Sequence, residues 1–154
     1  MNIWTGILLL GAGFAIYGLT KLTHVGKSIV TETKGRIHTL DFEKIVFSID
    51  SIIKNPSTTE LTIQFPFVKI FYKGSLIASS ELKNRLVSIR PLTQTTIADI
   101  RIPVSYLKFT GVGAELLQKI QAKSKKVTFQ VEVSTILHMA GGKVPFSTTE
   151  DIAI

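Results

Sequence analysis

The chain contains no cysteine. That absence excludes a disulfide framework, a thiolate nucleophile, a Cys-ligated zinc or iron–sulfur centre and a lipid-modified cysteine anchor. Whatever domain forms must hold together by packing alone. Acidic residues are few, 11 against 18 Lys and Arg, which gives a formal net charge of +7. Asp, Glu, Lys, Arg and His are missing altogether from residues 1 to 20. Catalytic signatures are missing too. There is no Gly-x-Ser-x-Gly nucleophile elbow. Gly111-Val112-Gly113 opens a glycine pattern, but Leu116 stands where a dinucleotide fingerprint needs its third glycine, and no βαβ unit surrounds it. Gly142-Lys143 is followed by Val144 and lacks the upstream glycine of a phosphate-binding loop. His24, His38 and His138 have no second ligand at a useful spacing. The residues point to no enzyme, no catalytic residue, no cofactor, no metal and no small-molecule substrate.

What the sequence does have is an apolar block. Twenty helical residues span about 30 Å, the thickness of a bilayer's hydrocarbon core, so residues 1–20 are expected to form one transmembrane helix. Trp4 and Tyr17 sit near its two ends at interfacial positions, Leu9 and Phe14 fall within it, and Lys21 follows where its side chain can snorkel to headgroups. A cleaved signal peptide would want basic residues before the block and a small-x-small site after it. Neither is found, so a retained anchor is preferred. Gly11, Ala15 and Gly18 fall at i, i+4 and i+7 and form a candidate helix–helix face. Lys21, Lys27, Lys34 and Arg36 all lie beyond the block, which puts the following domain on the cytoplasmic side by the positive-inside rule.

Residues 21–39 are polar, without helical or strand periodicity, and read as a juxtamembrane linker. The domain is expected over residues 40–154. Ile45, Phe47, Ile49, Ser51 and Ile53 share one strand face, opposite Ser48, Asp50 and Lys54, and Asn55-Pro56-Ser57 ends the run. Leu61, Ile63 and Phe65 are followed by Val68, Ile70 and Tyr72, so the apolar parity slips by one at Pro66-Phe67. A β-bulge or an edge strand there accommodates both the slip and the missing N–H. Lys73-Gly74 turns into a strand from Leu76 to Ser79, and another runs from Leu86 to Ile89 before Pro91. Thr96, Ala98, Ile100 and Ile102 alternate with Ile97, Asp99 and Arg101 up to Pro103. Ala114, Leu116, Leu117 and Ile120 make an apolar stripe at helical spacing over residues 112–122, with Lys119, Lys123, Lys125 and Lys126 at its dipole-matched C-terminal end. Val127 to Leu137 is the longest alternation, and Gly141-Gly142 turns it toward a last strand from Val144 to Ile152. Six or seven strands and one helix predict a mainly β chain folded as a β-sandwich.

Several of these segments, taken in order, resemble the late embryogenesis abundant group 2 family, also called the water stress and hypersensitive response (WHy) domain. The residues that carry the likeness are Asn55-Pro56-Ser57, Leu61-Thr62-Ile63, Phe71-Tyr72-Lys73-Gly74, Leu76-Ile77-Ala78-Ser79, Ile89-Arg90-Pro91, Thr95-Thr96-Ile97 and Gly141-Gly142-Lys143-Val144-Pro145. The resemblance covers about residues 40 to 152. It implies a fibronectin- or immunoglobulin-like sandwich of seven strands with one short helix, no active site, and a tether of one N-terminal helix. Roles proposed for such domains are stress protection, lipid contact and scaffolding. This chain departs from the family in its basic charge and in Pro66, which interrupts a strand the family keeps regular.

Two functions compete. One is a non-catalytic membrane-anchored binding or protective module; the other is a structural protein of a lipid-containing virion or similar assembly. Both take the lipid bilayer as a partner, together with protein partners or self-association. Nucleic-acid binding is disfavoured, because no stacking aromatics flank the lysines at the helix end. Strand parity puts Phe67, Lys69, Phe71 and Lys73 on one face, opposite Val68, Ile70 and Tyr72, and that face is the candidate surface for membrane or partner. The bland alternative is that the helix or the other sheet covers the two phenylalanines.

Overall fold

A computed structural model describes residues 14–15, 30–41, 43–105, 112–122, 126–139 and 142–154. Its strands are β1 (Phe14–Ala15), β2 (Val30–Leu40), β3 (Lys44–Asn55), β4 (Leu61–Gln64), β5 (Phe67–Tyr72), β6 (Ser75–Ser79), β7 (Leu86–Ile89), β8 (Thr93–Ser105), β9 (Thr128–Met139) and β10 (Gly142–Ala153). Among the described residues there is one helix, α1 (Val112–Gln121), between β8 and β9 in the chain. The first sheet has the order β1-β2-β3-β8, and the second runs β6-β5-β9-β4-β7 with β10 also on β9. β10 pairs β9 from end to end, so β4 and β5 must share β9's other edge. They are two halves of one broken strand. Counted that way, the molecule is a mainly β, two-sheet sandwich.

The break falls where the apolar parity slips. Ile63 faces Leu137, whereas Val68 faces Val133, so the sum of partner numbers moves from 200 to 201 across Pro66. This is the expected one-residue bulge. Its backbone groups find partners: the Phe65 N–H donates to the Arg85 carbonyl at 2.6 Å, and the Thr135 hydroxyl donates to the Gln64 carbonyl. Lys73 and Gly74 both have positive φ, at 47° and 80°, as a two-residue hairpin whose twist matches its strands requires.

The sequence pattern explains the core. Ile45, Phe47, Ile49 and Ile53 of β3, with Ile97, Ile100, Ile102 and Val104 of β8, face Val68, Ile70, Tyr72, Phe129, Val131, Val133 and Leu137 across the sheets. At one end, Phe129 meets Phe47 edge-on with centroids 5.2 Å apart and Tyr72 at 5.8 Å. Helix α1 adds Leu116 and Ile120 to the core; of the other two residues in its predicted apolar stripe, Leu117 is half-buried and Ala114 is exposed.

Three expectations need correction. Residues 30–39, read as linker, form most of β2, which pairs with β3 from Val30↔Lys54 to Leu40↔Ile45. The parity of β8 changes at Ala98–Asp99: Ile100 faces Ile49 and Ile97 faces Ser51, so two residues oppose Asp50 alone and Ile97 is buried with Ile100. Pro103 lies inside β8 rather than ending it, as an edge strand tolerates. The transmembrane helix expected over residues 1–20 lies outside the described residues, except that Phe14 and Ala15 are extended and pair with Thr31 and Val30. Among the described residues, no helix is long and apolar enough to cross a membrane.

The sandwich is closed along one side and open along the other. On the closed side β2 meets β10. Gly35 makes that approach possible, because a Cβ there would lie 3.1 Å from both Ile152 Cγ2 and Ile49 Cδ1. Gly35→Val is therefore expected to destabilise the domain by about 1 kcal/mol, overpacking outweighing the conformational gain of losing a glycine. The urea midpoint of the full-length protein measures it, and an unchanged midpoint would refute the close approach. On the open side, β7 and β8 are each paired on one edge only among the described residues.

Candidate functional site

The register of the second sheet lays out its outer face in rows. Thr149, Glu132, Lys69 and Ser79 form one row across β10, β9, β5 and β6; Asp151, Gln130, Phe71 and Leu76 form the next. Phe67 lies beside Ser134 and Ser147 in the row above. Within β5 the expected separation of faces is seen, since Val68, Ile70 and Tyr72 point into the core while Phe67, Lys69 and Phe71 do not; Lys73, expected on the same face, lies instead in the hairpin turn after the strand. Phe67 and Phe71 are half-buried, Lys73 is exposed, and Leu76 beside Phe71 is 56% exposed.

The cations of this face are not free. Lys69 Nζ lies 3.2 Å from Glu132 Oε1, directly across the ladder. Lys73 Nζ lies 2.9 Å from Glu115 Oε1 on α1, and Lys119 reaches the same oxygen at 2.9 Å. These hydrogen bonds, from Lys119 first and Lys73 second, hold the Glu115 carboxyl down at about 2. The same contact, with the Tyr72 hydroxyl second, raises Lys119. With Asp151 in the Phe71 row, three ammonium groups stand against three carboxylates beside the half-buried rings.

The other predicted residues are dispersed. Trp4, Leu9, Gly11, Tyr17, Gly18, Lys21 and His24 lie outside the described residues. So do Lys27, Gly111, Lys123 and Lys125. His38 is on β2 and His138 on β9, in different sheets. Among the described residues, no group of three or more His, Cys, Asp and Glu is arranged to hold a metal ion.

Two polar clusters appear that sequence reasoning missed. On the outer face of the first sheet, Asp99 stands at the β8 bulge with φ 55°. Its N–H donates to Asp50 Oδ1 at 2.7 Å, and its carboxylate accepts from Ser48 Oγ at 2.7 Å and Arg101 Nε at 2.9 Å. Arg36 completes the group, 2.8 Å from Asp50 and 3.7 Å from Asp99. The Ser48 hydroxyl and then Arg101 keep Asp99 below the usual carboxylate range. Every charge has a partner, so this cluster pins a bulge. Inside the closed edge, Glu150 accepts the Thr33 N–H at 3.0 Å through Oε2. Its Oε1 makes no hydrogen bond among the described residues, and neither do the hydroxyls of Thr33, Thr148 and Ser51. The signal for Glu150 was present, since Phe146, Thr148, Glu150 and Ile152 share one strand parity, with apolar residues at both ends.

No family model matches the chain, and no curated protein does. Solved structures do resemble it in fold. A crystal structure of a protein from Archaeoglobus fulgidus has a TM-score of 0.55 at 11% identity, over 80% of this chain and 94% of that one. A solution structure of an Arabidopsis thaliana protein has 0.48 at 10% identity, over 79% and 78%. A β-glucuronidase of glycoside hydrolase family 2 has 0.40 at 8% identity, over 76% of this chain and 11% of that one. The first of these supports the class to which the geometry already points, a mainly β sandwich domain, and says nothing of activity.

Proposed function

We propose that the chain is a non-catalytic, membrane-anchored β-sandwich module of the late embryogenesis abundant group 2 type, which binds and protects at a bilayer surface. The observation that carries this reading is the run of 20 residues without Asp, Glu, Lys, Arg or His, followed at once by Lys21. Placing that run in lipid withdraws Phe14 and Ala15 from β2, a loss of two ladder positions among the described residues, against about 20 residues of apolar surface removed from water. The basic residues behind it favour the cytoplasmic side.

The outer face of the second sheet is the part of the domain suited to headgroups, because Phe71 and the exposed Leu76 share it with Lys69, and Lys73 follows in the turn that ends β5. Alkaline carbonate extraction of membranes containing the full chain tests the anchor: the protein is expected in the pellet, and recovery of intact chain in the aqueous fraction would overturn it. The face has its own test. The natural chain lacks cysteine, so Ser79→Cys gives a single site for an environment-sensitive dye. In proteoliposomes the dye is expected to report lipid contact with phosphatidylserine present and not with phosphatidylcholine alone. Each surface cation contributes about 1 kcal/mol at most; because both are already ion-paired, Lys69→Gln with Lys73→Gln is expected to cut the contacting population roughly fivefold. A signal indifferent to lipid charge would remove this face from the proposal.

A further inference from the structure

The open side of the sandwich holds a groove of about 360 Å³ between β7 and β8. Phe65, Val87, Ile97 and Ile100 supply its apolar part. All six residues 95–100 of β8 line it. Successive side chains of a strand point to opposite faces, so six in a row reach one groove only if the strand's edge, its main chain, is the wall. That edge is unused. β8 pairs with β3 alone, and residues 95–98 make no backbone hydrogen bond beyond that ladder among the described residues. The bulge at Asp99, whose N–H is taken by Asp50, bounds the usable stretch.

The rim on the β7 side is cationic. Arg85 lies 4.7 Å and Lys83 5.2 Å from the centre of the Phe65 ring, so both charges are held over the groove rather than dispersed in solvent. Neither has a carboxylate partner among the described residues. Asp99, on the facing wall, is already committed to Ser48, Arg36 and Arg101. Leu82 and Leu86, 77% and 56% exposed, flank the two cations.

From this arrangement we propose that the groove is a docking site for a short extended acidic peptide segment of a partner protein, which adds as a strand to the free edge of β8. Main-chain pairing along residues 95–98 supplies the affinity, and Lys83 and Arg85 select carboxylate side chains. A lone anion would satisfy the cations and leave the strand edge unused. A neutral peptide would do the reverse.

The experiment uses the full-length protein in mild detergent and, as probe, an end-blocked fluorescent peptide of alternating Glu and Val. Micromolar binding is expected, with amide chemical-shift changes at residues 95–98. A peptide with Lys in place of Glu is expected to bind at least tenfold more weakly, and so is the Glu-Val peptide N-methylated at every amide. Lys83→Gln with Arg85→Gln is expected to cost at least tenfold at an unchanged urea midpoint; the N-methyl comparison stands whether or not that variant folds. No binding at millimolar peptide would overturn the proposal, as would equal binding of the N-methylated peptide. So would displacement by inorganic phosphate at equal concentration, which would make the groove a small-anion site.

Discussion

Asn55→Ala is expected to lower the domain's stability by about 3 kcal/mol. Asn55 ends β3 and is 2% exposed. Its amide nitrogen donates to the Thr59 carbonyl at 2.8 Å, the Ile89 carbonyl at 3.1 Å and, more weakly, the Arg90 carbonyl at 3.3 Å. Its Oδ1 accepts the Ser57 N–H at 3.1 Å and the Ser57 hydroxyl at 2.7 Å. One side chain thus ties the β3–β4 connection to the end of β7. Alanine fills none of these roles, and the buried carbonyl of Ile89 loses its contact with that side chain. Asn55→Asp separates donor from acceptor. It keeps the bonds from Ser57 but turns a carboxylate toward carbonyl oxygens, which favours its protonated form in the folded state. Its deficit is therefore expected to be small at low pH and to grow as pH rises through the raised folded-state value. Urea unfolding followed by circular dichroism measures both variants, and an Asn55→Ala midpoint equal to wild type would show that this corner does not hold the loops.

Asn55-Pro56-Ser57 also shows where sequence reading succeeds. Clean alternations were legible: Ile45 through Ile53 are buried at every second position, Val68, Ile70 and Tyr72 point inward, and the slip at Pro66 is a bulge. Each depends on apolar periodicity and local backbone chemistry alone. β2 was not legible, because its inward positions are Thr33, Gly35 and Ile37, where the close approach of β10 leaves room only for small residues along part of the strand. The β8 bulge was invisible because nothing in Ile97-Ala98-Asp99-Ile100 shows that the Asp50 carboxylate, 49 positions away, takes the Asp99 N–H. The groove depends on which strands end up at sheet edges, which is a property of topology. Lys83 and Arg85 lie in a stretch without period, and only the fold brings their charges over Phe65.

Glu150 is expected to contribute a loss of stability as pH rises, and Glu150→Gln to abolish that contribution. The carboxyl is 2% exposed between β10 and β2. Burial raises it to about 7 from the 4.5 of a free glutamate, opposed by the Thr33 N–H bond and assisted by the charge of Glu32. The sign follows from proton counts. Between about 4.5 and about 7 the unfolded chain has lost this proton while the folded chain retains it, so the folded state binds more protons and is destabilised by every step up in pH. The contribution is complete below about 4.5 and is lost as pH passes about 7. Allowing for screening at the sandwich edge, the loss is about 2 kcal/mol. The neutral carboxyl can also donate to one of the hydroxyls of Thr33, Thr148 and Ser51, which otherwise lack partners among the described residues. The ionised form cannot. Glutamine keeps an acceptor for the Thr33 N–H and carries no charge at any pH, so Glu150→Gln should match the wild type near pH 4 and exceed it by about 2 kcal/mol at pH 8. Urea midpoints across that range decide the matter: parallel curves for the two proteins would mean that Glu150 keeps its ordinary titration and that water reaches this edge of the sandwich.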